Sequence, residues 1–274
     1  MCPYVGIFGN LEPPVKNRAP HTHRELELLD VLRRLGGTAR NSELAKTLDV
    51  SEETVRRTIK SLSKTGAVER VHGGAYLAGT QGDPSFFSRI SQHSDEKRQI
   101  AVQVAKLVQS GMTIFLDVGS TTAFVAEELR QIGNLTIVSN SIGIGQTLAG
   151  TNGNRVHLLG GELQSDERGT FGYVAHRQAQ RYAFDMVLLS IDAVSAEKGF
   201  MYRSAAEAEL SAMIAENADQ VVVATAHFKF GETAPYVGPD PRDVDLLVSD
   251  KFPKGALASA LEGWGVKAQK ASGA

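Results

Sequence analysis

Thr113-Ile114-Phe115-Leu116-Asp117-Val118-Gly119-Ser120-Thr121-Thr122 is an apolar run that ends in an acid, a glycine and three hydroxyl residues. Ile114-Phe115-Leu116 does not alternate with polar residues, the pattern of a strand buried on both faces in a parallel sheet. Ala123-Phe124-Val125-Ala126-Glu127-Glu128-Leu129 follows with apolar residues at helical spacing. A strand, a turn at Gly119 and a helix are therefore predicted. Ser120, Thr121 and Thr122 then stand at the helix N-terminus. Unpaired backbone N–H groups, hydroxyls and the positive end of the helix dipole favour an anion such as phosphate there. Asp117 falls at the carboxyl end of the strand, where open α/β sheets bind ligands, and its carboxylate can accept hydrogen bonds from sugar hydroxyls. The same residues also suit a capped strand-to-helix turn without a ligand.

Working outward, apolar strand patterns alternate with helical ones. Ser94 or Asp95 is predicted to cap a helix that buries Ile100, Val104, Leu107 and Val108 and ends at Gly111. Strands are predicted at Leu135–Ser139, Val156–Leu159, Met186–Ile191, Val221–Thr225 and Leu246–Ser249. Helices are predicted after Ser141, at Tyr173–Tyr182 and at Ser204–Asn217. Such alternation implies right-handed crossovers and a mainly parallel, Rossmann-like sheet. Polar residues end the strands: Asp117, Ser139-Asn140, Gly160-Gly161, Asp192 and Thr225-Ala226-His227. In a parallel sheet these ends share one edge, so they can surround one crevice, with Lys229 and Arg203 as cations for a phosphate. Capping, turning or solvation explains each one singly; five at one edge favour a site.

Upstream, a small helical segment is predicted. Leu28, Leu29, Val31, Leu32 and Leu35 recur at helical spacing before Gly36-Gly37. Asn41 is a good N-cap for a second helix that buries Leu44, Ala45 and Leu48. Ser51 caps a third, which buries Val55, Ile59 and Leu62 and shows Thr54, Arg56, Arg57, Lys60 and Lys64 on its other face. From Thr54 to Arg70 there are five Lys or Arg against one acid, Glu69, inside a chain of net charge −2. A solvated face is the usual meaning of such a run. Two helices joined by a tight turn, the second capped and basic, form the helix-turn-helix pattern, and the basic face can meet phosphates and guanine edges in a major groove. Val68–Val71, a turn at His72-Gly73-Gly74 and Ala75–Leu77 read as a hairpin, or wing. The DNA-contacting candidates are Ser51, Thr54, Arg56, Arg57, Lys60, Arg70, His72 and Gly73.

Composition sets the frame for both segments. A length of 274 residues allows one large domain with a small appendage. The single cysteine, Cys2, excludes an intrachain disulfide framework and fits a reducing cytoplasm. No run approaches a membrane span. The expected plan is a disordered leader at 1–22, a winged helix-turn-helix domain at 23–78 and a polar linker at 79–94, which Phe86 and Phe87 can pin. An α/β sensing domain at 95–268 and a short tail at 269–274 follow.

Ser51-Glu52-Glu53-Thr54-Val55-Arg56-Arg57 followed by Arg70-Val71-His72-Gly73-Gly74-Ala75 resembles the DNA-binding signature of the DeoR family of bacterial transcriptional repressors. The resemblance runs on through Glu96-Lys97-Arg98-Gln99-Ile100-Ala101, the Leu116–Thr122 loop, Val138–Ser141, Leu159–Leu163, Glu207-Ala208-Glu209 and Lys229-Phe230-Gly231. It implies a winged helix-turn-helix fused to a sugar-phosphate-sensing domain similar to ribose-5-phosphate isomerases. The expected partners are double-stranded operator DNA, a phosphorylated sugar or polyol effector, and further copies of the chain. The expected effector residues are Asp117, Gly119, Ser120, Thr121, Thr122, Ser139, Asn140, Gly160, Gly161, Asp192, Arg203, Glu207 and Lys229. Departures are Ser120 where threonine is usual, Thr58 and Ala226 where aspartate is, and Ser211 where lysine is.

An isomerase-like enzyme carrying a DNA-binding module is the alternative, with Glu207 as its base. The lysine-glycine-glycine segment that precedes the base in such isomerases is absent, with Tyr202-Arg203-Ser204 in its place. No catalytic residue, metal site or cofactor is expected.

Overall fold

The computed structural model describes residues 22–35, 38–71, 73–77, 89–90, 92–164 and 168–271. The expected leader up to 21, His72, Phe86, Phe87 and residues 272–274 lie outside them. The first unit has helices α1 (His23–Arg34), α2 (Asn41–Thr47) and α3 (Glu52–Lys64). Strands β1 (Thr38–Arg40), β2 (Val68–Val71) and β3 (Gly74–Leu77) form an antiparallel sheet in the order β1-β3-β2. Leu28, Leu32, Leu44, Val55, Ile59, Leu62 and Ala75 close one small core. Thr22, expected in the leader, instead starts α1: its hydroxyl accepts from the Glu25 N–H, and Glu25 reaches back to the Thr22 N–H at 2.7 Å. Asn41 is the first residue of α2 rather than its cap. The chain passes directly from β1 into α2, and the Asn41 N–H goes to the Gly73 carbonyl at 2.8 Å.

The second unit is built on a seven-stranded parallel sheet. Its strands are β4 (Thr113–Leu116), β5 (Thr136–Ser139), β6 (Arg155–Leu158), β9 (Met186–Leu189), β12 (Val221–Ala224), β14 (Leu246–Ser249) and β15 (Lys267–Lys270). The order is β15-β14-β12-β9-β4-β5-β6, with every neighbouring pair parallel. Successive residues of each inner strand point to opposite faces, and both faces are covered, which is why these strands read as unbroken apolar runs. Ile114, Leu116, Met186 and Leu188 face α4 (Ser94–Ala105), α5 (Ser120–Leu129) and α6 (Ile142–Leu148). Phe115, Val187, Leu189 and Val223 face α7 (Tyr173–Ala179), α8 (Ala205–Ala215) and α9 (Ala256–Trp264).

Several expectations needed adjustment. The residue at the cap of α4 is His93, in the left-handed region at φ 54°, without a side-chain cap from Ser94 or Asp95. Strand β15 runs past the expected boundary at 268, and Ala271 is buried. Ile90, assigned to the linker, is wholly buried in the core of the large unit. Two small antiparallel sheets were not foreseen: β7 (Glu162–Gln164) with β8 (Gly169–Phe171), and β10 (Ala193–Ser195), β11 (Gly199–Tyr202) and β13 (Tyr236–Val237). Each strand in them is only two to four residues long, too short for a period to register.

Candidate functional site

The basic face of α3 is built as the sequence implies. The Ser51 hydroxyl accepts from the Thr54 N–H at 3.2 Å, which fixes the start of the helix. Val55, Ile59 and Leu62 anchor one side, leaving Arg56, Arg57 and Lys60 exposed on the other. The two arginines rest on first-turn acids: Arg56 Nη2 lies 3.0 Å from Glu52 and Arg57 Nε 3.2 Å from Glu53. Exposed pairs one helical turn apart are worth little, so both guanidinium groups can be surrendered to DNA at small cost. Arg70 is exposed on β2, and Gly73 holds φ +79° at the wing turn, a conformation that favours glycine. Arg40, which no sequence signal marked, is exposed on β1 opposite Gly74 of the wing.

The second site lies where the order of the parallel sheet reverses. From β4 the chain moves outward through β5 to β6, and from β9 it moves the other way through β12 and β14 to β15. The crevice beyond the carboxyl ends of β4 and β9 is therefore the switch point, where such sheets bind ligands. Asp117 leaves β4 there, and its Oδ2 accepts the Ser190 N–H from the end of β9 at 2.8 Å and the Ser190 hydroxyl at 3.4 Å. Oδ1 is buried without a hydrogen bond among the described residues. Gly119 lets the two loops meet: an added Cβ would stand 1.9 Å from Ser190 Oγ. The Gly119→Ala variant must therefore push Ser190 off Asp117. The expected cost is about 1–3 kcal/mol of stability, seen as a Tm lowered by about 2–4 °C for each kcal/mol. An unchanged thermal midpoint would show that the loops do not need this approach.

A cleft of about 270 Å³ opens beside this junction. Four cations border it: Arg89, Lys97, Arg203 and Lys229. Ser120, at the N-terminus of α5, lies on its wall with the acids Asp192 and Glu232. Asp192 Oδ2 accepts the Arg203 N–H at 2.8 Å. Lys229 Nζ donates to the Ile191 carbonyl, and Lys97 Nζ donates to the carbonyls of Arg89 and, at 2.9 Å, Gln92. Burial pulls the Lys97 ammonium down to about 7, reinforced by Lys229 and Arg89. Burial also lowers Lys229, opposed by Asp192. The Asp117 carboxyl is pushed up to about 8 by burial, against the hydrogen bonds of Ser190 and the charge of Lys229. Lys97 and Lys229 repel each other across the cleft, a repulsion that a bound anion would offset.

Of the expected effector residues, Ser120, Asp192, Arg203 and Lys229 line the cleft. Asp117 is buried behind it, within electrostatic reach of Lys229. Others are spent inside the protein. Thr122 Oγ1 donates to the Asp117 carbonyl at 2.9 Å, and Ser139 Oγ to the Leu116 carbonyl at 2.7 Å. Asn140 Oδ1 accepts the Val118 N–H at 2.9 Å. Thr121 is buried, its hydroxyl without a partner among the described residues. Gly160 gives its N–H to Gln178 of α7, and Gly161 lies against the Phe171 backbone, so neither borders the cleft. Glu207 is also absent from the lining, and its charge acts on Lys229. Sequence reasoning missed Arg89 and Lys97. Lys97 did carry a signal: it sits on the buried stripe of α4, at i, i+3, i+4 and i+7 with Ile100, Ala101 and Val104, where a lysine needs a reason.

Comparisons with known proteins agree with this division of the chain. Residues 24–81 match the model of the DeoR-like helix-turn-helix domain, and residues 92–251 match that of the DeoR C terminal sensor domain. The HTH-type transcriptional repressor CsqR of Escherichia coli (strain K12) is 31% identical, over 80% of this chain and 84% of its own. The glycerol-3-phosphate regulon repressor of the same strain is 28% identical, over 88% of this chain and 95% of its own. Ribose 5-phosphate isomerase A from Neisseria gonorrhoeae aligns over 49% of this chain and 52% of its own, at 17% identity and a TM-score of 0.36, too slight a likeness to argue from. Matched by both models and by a repressor 31% identical over four-fifths of its length, the chain belongs to the DeoR family of transcriptional regulators, its helix-turn-helix domain joined to that family's sensor domain.

Proposed function

We propose that this regulator represses a carbohydrate-catabolism operon and leaves its operator when a phosphorylated sugar or polyol enters the cleft. The observation that carries the reading is the cleft itself: four cations and a helix N-terminus set beside Asp192 and Glu232. The cations suit a phosphate, and the carboxylates suit the hydroxyls of the body that bears it. The phosphate in the name of the glycerol-3-phosphate regulon repressor is consistent with that chemistry. Asp117 holds the Ser190 loop and stands within electrostatic reach of Lys229, so it shapes the site from behind.

The protein is read as a sensor without turnover. Glu207, the one base that the isomerase alternative offers, does not line the cleft. The protein is further read as a cytoplasmic homo-oligomer, because one winged module reads a short half-site and specific operators repeat it. No described helix is long and apolar enough to cross a membrane.

The test is to titrate the complex with a self-selected DNA duplex against a panel of sugar and polyol phosphates and their unphosphorylated parents. Release is expected with at least one phosphorylated compound and with no parent at equal concentration. Release by a parent alone, or catalytic conversion of the active compound, would overturn the reading. Light scattering is expected to give a dimer or tetramer.

A further inference from the structure

The two units touch through a buried group of charges. Glu43, on α2 of the DNA-binding unit, is only 4% exposed. Its Oε1 lies 3.7 Å from Arg98 Nη2 on α4 of the sensor unit, and neither carboxylate oxygen has a closer hydrogen-bonding partner among the described residues. Beside this pair a second cavity of about 270 Å³ is walled by both units, with Lys46 from α2 and Arg98, Glu127 and Arg130 from the sensor helices. Glu127 Oε2 accepts from Arg130 at 3.4 Å while its Oε1 is buried without a hydrogen bond among the described residues. On the flank, Thr147 Oγ1 of α6 donates to the carbonyl of Arg34 at the end of α1, at 3.1 Å.

The helices that carry these charges also carry the cleft. Lys97 and Arg98 are neighbours on α4; Lys97 borders the cleft and Arg98 meets Glu43. On α5, Ser120 borders the cleft, and Glu127, two turns later, borders the cavity between the units. A packed helix moves as a body, so what displaces one of these residues displaces the other. The Glu43–Arg98 contact is suited to register such a shift. Arg98 is the largest of the charges that offset the burial of Glu43, ahead of Arg40 and Lys97, so the carboxylate loses much of its compensation when Arg98 withdraws. Burial already raises the Glu43 carboxyl, held back chiefly by Arg98, and burial raises Glu127 to about 6 against the charge of Arg34.

We infer that α4 and α5 carry the cleft's occupancy to the DNA-binding unit through the Glu43–Arg98 contact, with Arg98 acting as a positioning residue for α2. Helix α2 packs directly against the reader helix α3 and the wing sheet, so a change in its seating changes how the basic face is presented. The inference rests on the cleft being the effector site.

Hydrogen exchange of the full-length protein, with and without inorganic phosphate in a chloride-balanced buffer, separates the two ideas. In the wild type, phosphate is expected to change amide exchange both at 117–122 and at 41–47. In Glu43→Gln and in Arg98→Met, the change at 117–122 is expected to persist and the change at 41–47 to vanish. The charge-swapped pair Glu43→Arg with Arg98→Glu, checked for folding by its thermal transition, is expected to restore it. Cleft protection with the 41–47 response intact in both single variants would overturn the contact as the coupling element. So would a wild type in which only the cleft responds. No response at 117–122 in any protein would remove the cleft reading, and the inference with it.

Discussion

Replacing Arg56 and Arg57 together with alanine is expected to abolish operator binding while the fold survives. Both side chains are exposed, and the core of their domain is formed by Val55, Ile59 and Leu62 on the other face of α3, so truncation removes no packing. Each base-reading pair is worth about 1–3 kcal/mol, so losing two weakens specific binding by roughly 30-fold to 20,000-fold. Gel-shift titration over a salt series gives the check. The slope of log affinity against log salt is expected to become shallower by about one for each phosphate that the variant no longer neutralises. Undiminished affinity in the double variant would remove α3 as the reader.

The second large effect is expected in the cleft. Lys97→Met with Lys229→Met should eliminate measurable binding of a phosphorylated effector. Hydrogen bonds to charged partners are worth about 1.5–3 kcal/mol each, so the pair accounts for roughly 100-fold to 20,000-fold in affinity. A pH signature accompanies this. Lys97 titrates at about 7 in the free protein, so above that pH it must take up a proton before it can meet the anion. Asp117, at about 8, gains its negative charge over nearly the same range and opposes the anion as it does so. Both changes have one sign: affinity falls as pH rises from 7 to 8.5, with protons taken up on binding. Below about 6 the phosphate itself gains a proton, so the affinity maximum lies between. Calorimetric titration of ribose 5-phosphate or glycerol 3-phosphate, in buffers of differing ionisation enthalpy, measures the uptake. Lys97→Met with Lys229 retained should flatten the slope. A wild-type affinity constant from pH 6.5 to 8.5 would show that neither group takes part.

Much of this molecule was legible from local pattern alone. The runs at 113–116, 186–189, 221–224 and 246–249 are apolar without alternation because both faces of the sheet are covered, and that is a local statement about each strand. The periodicity of Val55, Ile59 and Leu62, the Ser51 cap and the basic complement on the opposite face likewise need no knowledge of the rest of the chain. They were sufficient for the domain order and for the exposed basic face of α3. Only the tertiary structure decided the cleft. Strand order places β9 beside β4, and with it Ser190 against Asp117, although the two are 73 residues apart. The polar residues at strand ends were then sorted by place: Ser139, Asn140 and Thr122 bond to backbone away from the cleft, whereas Ser120, Asp192 and Lys229 border it, the last two while also bonding to backbone. The meeting of Glu43 with Arg98 was likewise invisible in sequence, because a charge on a helix reads as a solvated one until another unit covers it. Pattern fixes which face of an element is apolar; which elements meet, and so which polar groups remain unspent, is set by long-range packing.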